Sequence, residues 1–363
     1  MKIHLLLLIL LSAASIVTDT AFAQSSWFLQ NPLLYGVSFI DANTGTAVGD
    51  LGTILRTTNG GLNWTSQLSG TGNHLRSVSF TDANTGTAVG EYGIILRTTD
   101  GGQTWASQSS RTINVLYSVS FIDANTGTAV GANGTILRTT NGGQTWASQL
   151  SGTGNLLRSV SFIDANTGTA VGDGGTILRT TNGGANWESQ TSGTSLPLYG
   201  VSFTNANRGT AVGDNGTNLR TTNGGTNWES QTSGTANHLR SVSFTDANTG
   251  TAVGANGTIL RTTNGGQTWA SQLSGTENLL RSVSFTDANR GTAVGDNGTI
   301  LRTTNGGQTW ASQTSGTSLP LYGVSFTDAN TGTAVGRAQT ILRTTNGGQT
   351  WTIQFHGKEG PEY

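Results

Sequence analysis

The chain has 363 residues, of which 34% are hydrophobic and only 10% charged, and its formal net charge is −1. So small and balanced a charge argues against nucleic-acid binding and against electrostatic attachment to membranes. With no cysteine there is no disulfide framework, no thiol nucleophile and no lipid-anchored cysteine. The 53 glycines suggest a low-complexity chain, but the apolar positions recur in strict register, which disorder does not require.

Residues 1–23 carry Lys2, an apolar run at 5–11 and the small-x-small ending Ala21-Phe22-Ala23. That pattern predicts a secretory signal peptide cleaved after Ala23, too short to be a membrane span. Export to a periplasm, the medium or an equivalent lumen follows, with no membrane insertion of the mature protein.

Residues 24–356 are built on one phrase, Arg-Thr-Thr-Asn-Gly-Gly-Gln-Thr-Trp, which stands at 138–146 and occurs eight times in all with small edits. Its tryptophans, Trp64, Trp105, Trp146, Trp187, Trp228, Trp269, Trp310 and Trp351, are each 41 residues apart. A period of that size marks one supersecondary unit copied and stacked. In the third unit the β-branched and apolar runs predict strands at 117–121 (a), 127–131 (b), 135–140 (c) and 145–149 (d), joined by tight turns. Between c and d, Asn-Gly-Gly supplies glycines for positive φ and an Asn oxygen to accept turn amide protons.

Four-stranded antiparallel units of about 40–45 residues are the blades of a β-propeller. The fold class is therefore all-β, an eight-bladed propeller; a β-solenoid fits less well because hairpin turns separate the strands. No stretch favours a helix. An indole at the start of each d strand is expected to staple neighbouring units, at roughly 4–6 kcal/mol per ring as an upper bound. An extra d-like piece at 26–30 is placed to pair at the outer edge of the last blade, leaving open how it shares that edge with 351–354. Residues 357–363 form a C-terminal tail outside the pattern.

The hairpin of Thr139-Thr140-Asn141-Gly142-Gly143-Gln144-Thr145-Trp146 resembles the Asp-box of sialidase-type (BNR) propellers. The whole unit, Ser-Val-Ser-Phe through Gly-Thr-Ala-Val-Gly to the box, resembles more closely the photosystem II stability/assembly factor family. Only Asp100 keeps the acid of the box; Asn59, Asn141, Asn182, Asn223, Asn264, Asn305 and Asn346 replace it, keeping the carbonyl acceptor and losing charge assistance. The resemblance implies a propeller, generally of seven blades, that binds a membrane-protein subunit or assembly intermediate on the exported side. In a photosynthetic source that side would be the thylakoid lumen.

A catalytic centre needs particular residues placed once, whereas a residue present in every unit is first a folding element. The sialidase set of an arginine triad, a Tyr–Glu pair and an acidic Asp has no singular counterpart; Glu188 and Glu229 merely replace Ala in strand d. The reading is a non-enzyme without cofactor. No metal site is assigned either: Asp-Ala-Asn-Thr-Gly lacks the later ligands of a calcium loop, and His74 and His238, four units apart, read as exposed loop residues.

Two rings of residues remain. The first closes every c strand: Arg56, Arg97, Arg138, Arg179, Arg220, Arg261, Arg302 and Arg343. Each is expected to pair with the Asp of its own a–b turn or a carbonyl within its blade, or else to contribute to a basic patch. Arg220 is the local exception, because Asn205 replaces that Asp and Asn218 replaces Ile nearby. The second ring opens the a strands at the opposite edge: Tyr35, Arg76, Tyr117, Arg158, Tyr199, Arg240, Arg281 and Tyr322. Tyr and Arg are enriched in binding hot spots, and the adjacent b–c turns vary (Asp50, Glu91, Asp173, Asp214, Asp296, Arg337). This rim is the candidate surface for a protein partner, with a glycan as the alternative ligand.

Overall fold

The computed structural model describes residues 32–355; the expected signal peptide, the piece at 26–30 and the tail 357–363 with His356 lie outside them. Within that span the chain makes eight separate four-stranded antiparallel sheets, at 34–67, 75–108, 116–149, 157–190, 198–230, 239–272, 280–313 and 321–355. They stand in a ring as an eight-bladed propeller, which answers the blade count in favour of eight. Among the described residues no helix is long and apolar enough to cross a membrane.

In blade 3 the strands are Leu116–Phe121 (a, innermost), Gly127–Gly131 (b), Ile136–Thr139 (c) and Ala147–Gln149 (d, outermost). Strands c and d are shorter than the sequence suggested because the b–c turn takes Thr135 and the box turn takes residues 140, 145 and 146. One feature of the b–c connection was not foreseen. Six of the eight are single 3-10 turns, such as Ala132–Gly134, whose middle residue Asn133 adopts φ 53°. Asn tolerates that left-handed conformation, so helix-free periodicity and a local turn coexist.

Period-two alternation gives each blade two apolar faces. Ala129 and Leu137 face the preceding blade, beside Val89 and Ile95, while Val130 and Ile136 face the following one. Trp146 completes the first of these clusters at 4% exposure, so the indoles do lie between successive sheets. Its ring meets Phe121 edge to face at 6.0 Å, and the same pair recurs in all eight blades. That geometry is the favourable one for aromatic quadrupoles. Beneath Phe121 lies Gly127, where a Cβ would come within 2.5 Å of the ring. A glycine is the only residue that lets the ring lie on the backbone there.

The box works as read. Asn141 Oδ1 accepts from the Thr145 amide at 3.0 Å and from the Thr139 hydroxyl at 3.0 Å, while its amide nitrogen donates to Thr145 Oγ1 at 2.9 Å. Asp100 makes the same contacts, with Thr104 donating both N–H and O–H to it. Those bonds hold its carboxyl down at about 2.

Towards the axis, strand a has no ladder partner on its inner side. Ser77 and Ser79 of blade 2 partly fill that role, accepting from the Val119 and Phe121 amides of blade 3 at 3.3 Å. Blade 1 closes on blade 8 by the same packing: Leu34, Ala47 and Leu55 cluster with Val335 and Ile341. Pro32 also accepts from the Gln339 amide at 2.9 Å. Within the described residues every blade uses four consecutive strands, so the seam is sealed by side chains and needs no exchanged strand.

Candidate binding rim

The two residue rings lie on opposite edges, and they are built differently. On the a–b edge each arginine reaches out of its own blade. Arg97 donates to Thr87 Oγ1 at 2.9 Å and to the Ala124 carbonyl of blade 3 at 2.5 Å, with its guanidinium 5.1 Å from the Phe121 ring centre. Arg56 donates likewise to Ala83, and Arg220, Arg261 and Arg302 donate to Gly265, Gly306 and Gly347, each in the next blade. The expectation of a bond within each blade is thus corrected: the guanidinium is an inter-blade clamp. The turn aspartates are not its hydrogen-bonding partners. Asp123 Oδ1 accepts from the Asn125 and Thr126 amides, both at 2.7 Å, and Asn205 does the same for Asn207 and Arg208. Arg220 therefore sits in a clamp like its neighbours, away from the other candidate residues.

The opposite edge holds the Tyr/Arg ring, and a β-bulge sets each of its members. Leu116 pairs with Gly131 and Ser118 with Val130, so Tyr117 is an extra residue between them. The same skip falls at Tyr35, Arg76, Arg158, Tyr199, Arg240, Arg281 and Tyr322. Bulges re-aim the side chain they free. Here the bulge also lets Leu116 and Val119, three residues apart, share one apolar cluster. That odd spacing was the sequence signal for the bulge. Gly131 makes room for it, since a Cβ there would overlap the Val115 carbonyl.

The freed side chains meet their neighbours around the channel mouth. Tyr35 and Tyr322 lie 6.3 Å apart across the seam. Arg76 stacks over Tyr35 at 4.3 Å, Arg158 and Arg240 flank Tyr199 at 4.9 and 4.2 Å, and Arg281 stacks over Tyr322 at 4.9 Å. The b–c turns supply carboxylates: Glu91 pairs with Arg76, Asp173 with Arg158 at 2.6 Å, and Asp296 with Arg281 at 2.6 Å. Burial, with the Asp50 carboxylate facing its hydroxyl, pushes the Tyr35 phenol up to about 12; burial and Asp214 raise Tyr199 likewise. Both phenols stay neutral donors at physiological pH. Tyr117 has no ring or guanidinium partner among the described residues, and Ala132 gives its blade no turn carboxylate.

His74 and His238 belong to this rim, which the sequence reading missed. His74 Nδ1 lies 2.6 Å from Asp50 Oδ1 and His238 Nδ1 lies 2.7 Å from Asp214 Oδ1. Each histidine leans on the turn acid of the preceding blade, and no cluster of three or more metal-binding side chains occurs among the described residues. A groove of about 1050 Å³ lies elsewhere, along the outer edge of blade 3. Its walls are mostly small polar residues, with Leu137, Trp146 and Leu150 and one ionisable side chain, Arg111, so it carries less charged recognition chemistry than the rim.

Comparison with known proteins decides the family. The family described as "Photosynthesis system II assembly factor YCF48" matches residues 18–111, 105–236, 189–274 and 233–320, which together run from 18 to 320. The chain belongs to the YCF48 assembly-factor family. Among solved structures it is similar to "YCF48 bound to D1 peptide", at 23% identity and a TM-score of 0.60, covering 76% of this chain and 92% of that one. YCF48 from Cyanidioschyzon merolae matches at 23% identity and a TM-score of 0.60, over 75% and 95% of the two chains. The computationally designed Ika8 protein matches at 14% identity and a TM-score of 0.74, over 87% and 96%. At these identities the structural likeness speaks for the propeller fold. A search of curated proteins returned no match.

Proposed function

We propose that this YCF48-family propeller is an exported, non-catalytic assembly module whose Tyr/Arg rim binds a protein partner. The observation that carries the reading is the bulge-set ring at 35, 76, 117, 158, 199, 240, 281 and 322, varied in residue while the frame beneath it repeats. Variation on an invariant scaffold is how loop-borne and edge-borne recognition is built. Family membership supports a protein as the ligand, and one similar structure, of YCF48, holds a D1 peptide. For this chain the partner is a segment of a membrane-protein subunit at the exported side; in a photosynthetic source it would be a photosystem II subunit met in the thylakoid lumen.

The rim's chemistry favours binding over turnover. Its carboxylates are engaged by Arg or His, and Tyr35 and Tyr199 are held neutral, which suits hydrogen bonding and stacking rather than nucleophilic attack. Affinity capture from membranes of the source organism tests the reading. The expected result is one protein retained by the wild type and lost when Arg76, Arg158 and Arg240 are changed together to Ala. Retention undiminished in that variant would overturn the rim assignment. Saturable binding to a glycan array with no captured protein would replace it with a carbohydrate-binding function.

A further inference from the structure

Blades 1–2 and blades 5–6 carry the same five rim positions four repeats apart, and four of the five are identical in residue type. In the first copy the side chains close a circuit. Asp50 faces the Tyr35 hydroxyl and lies 2.6 Å from His74 Nδ1; His74 Nε2 lies 3.8 Å from Glu91 Oε2; Glu91 pairs with Arg76; and Arg76 stacks back over Tyr35. The second copy reads Tyr199, Asp214, His238, Ala255 and Arg240. Its frame matches closely, with His238 2.7 Å from Asp214 and Arg240 stacked at 4.2 Å over Tyr199. Only the carboxylate differs, because Ala255 stands where Glu91 does.

That one difference changes the electrostatics of the site. Among the described residues the Arg240 guanidinium makes no hydrogen bond and no ion pair, and the His238 side chain is 49% exposed against 34% for His74. Arg240, its Nε buried and unpartnered, and the half-exposed His238 thus stand two residues apart with no acid at 255, held by aromatic stacking and by Asp214. We infer that Arg240 and His238, above Ala255, receive one carboxylate group of the protein partner, and that Glu91 is the built-in counterpart of that carboxylate in blade 2. This rests on the rim reading above and gives it a location. A monoanion fits better than a phosphate, because Asp214 stands beside the site and repels a second negative charge. Charge-assisted, forked bonding to Arg gives such a contact geometric selectivity.

The test uses the full chain carrying ¹⁵N at the arginine Nε positions, followed by NMR during titration. The probes are acetyl-Gly-Gly-Gly as the free acid, acetyl-Gly-Glu-Gly amide, and acetyl-Gly-Gly-Gly amide as the uncharged control. A saturable shift of the Arg240 signal with a carboxylate probe and none with the control is expected, and whichever acid acts at lower concentration names a chain terminus or a side chain as the source. Ala255→Glu should abolish the shift by completing the second circuit. Glu91→Ala should add a second responding signal, that of Arg76. No saturable shift in the wild type, an unchanged shift in Ala255→Glu, or a silent Arg76 in Glu91→Ala would each overturn the inference. Partner capture separates this from the broader reading. A protein retained equally by wild type and Ala255→Glu sinks the site and leaves the rim, whereas a saturable titration with no captured protein sinks the rim reading and leaves the site.

Discussion

Arg97 of blade 2 donates to the carbonyl of Ala124 in blade 3 while its guanidinium lies over the Phe121 ring of that blade. Contacts of this kind, from Arg56, Arg97, Arg179, Arg220, Arg261 and Arg302, tie blades to their successors at the edge opposite the Tyr/Arg rim. They also explain why an arginine recurs at this position without forming a basic surface: the charge is spent on backbone dipoles.

Removing that clamp should be felt in stability. Arg97→Met keeps most of the stem and loses the donors, leaving the buried guanidinium site unfilled and the Ala124 carbonyl unpaired. Hydrogen bonds from charged groups contribute about 1.5–3 kcal/mol, so a loss of that order is expected. Arg97→Lys should recover little of it, since an ammonium cannot span Thr87 and Ala124 as the fork does. Thermal unfolding of the three proteins checks this. Equal midpoints for wild type and Arg97→Met would remove the clamp from the stability of the ring.

Asn218 carries the opposite expectation. Seven blades have Ile at this place, fully buried, but blade 5 has Asn at 1% exposure with neither amide atom hydrogen-bonded among the described residues. It faces the cluster of Val212, Leu239, Ala252 and Leu260, which lacks the isoleucine found in the others. An unsatisfied buried amide costs about 1–3 kcal/mol. Asn218→Ile should therefore raise the unfolding midpoint, with a gain of about that size in denaturant titration. A lower midpoint would mean that the amide has a stabilising partner.

The box predicts a dependence on pH. The folded-state value of Asp100, about 2, lies below its ordinary value of 3.8. A depressed carboxyl contributes stability that is present above the unfolded value and is lost as pH falls through the folded one. The window is therefore from about pH 4 down to about pH 2. Asn141→Asp should raise the midpoint at pH 7 and confer little at pH 2, while Asp100→Asn should lower it much more at pH 7 than at pH 2. Unfolding curves at the two pH values read this directly. A pH-independent difference would show that charge assistance is not what the acid adds.

The 41-residue period made the blades legible because local turn chemistry and apolar alternation are properties of neighbouring residues. Asn141, Gly142, Gly143 and Trp146 could be assigned their roles without coordinates for that reason. Polar contacts between blades were not legible, since they join residues far apart in sequence, 24 positions for Asp50 and His74 and 27 for Arg97 and Ala124. The Arg97–Ala124 clamp was accordingly read as a bond within one blade or part of a basic patch, and His74 as an exposed loop residue. The rim lay between these cases. Its members were picked out as the varying positions of an invariant frame, but the bulge that projects them was missed, although Leu116 and Val119 standing three apart on one face already required it. The pairing of Arg76 with Glu91, and the lack of any such partner for Arg240, emerge only when turn b–c of one blade is placed beside strand a.

Site-directed photo-crosslinking tests the binding rim most directly. A benzophenone amino acid is placed at Tyr117, the ring tyrosine with no stacking partner, and separately at Asp82 on the opposite edge, and each protein is irradiated with source membranes. A single membrane-protein adduct from position 117 and none from position 82 is the expected result. An adduct from position 82 with none from 117 would put the partner on the clamped edge and contradict the central claim.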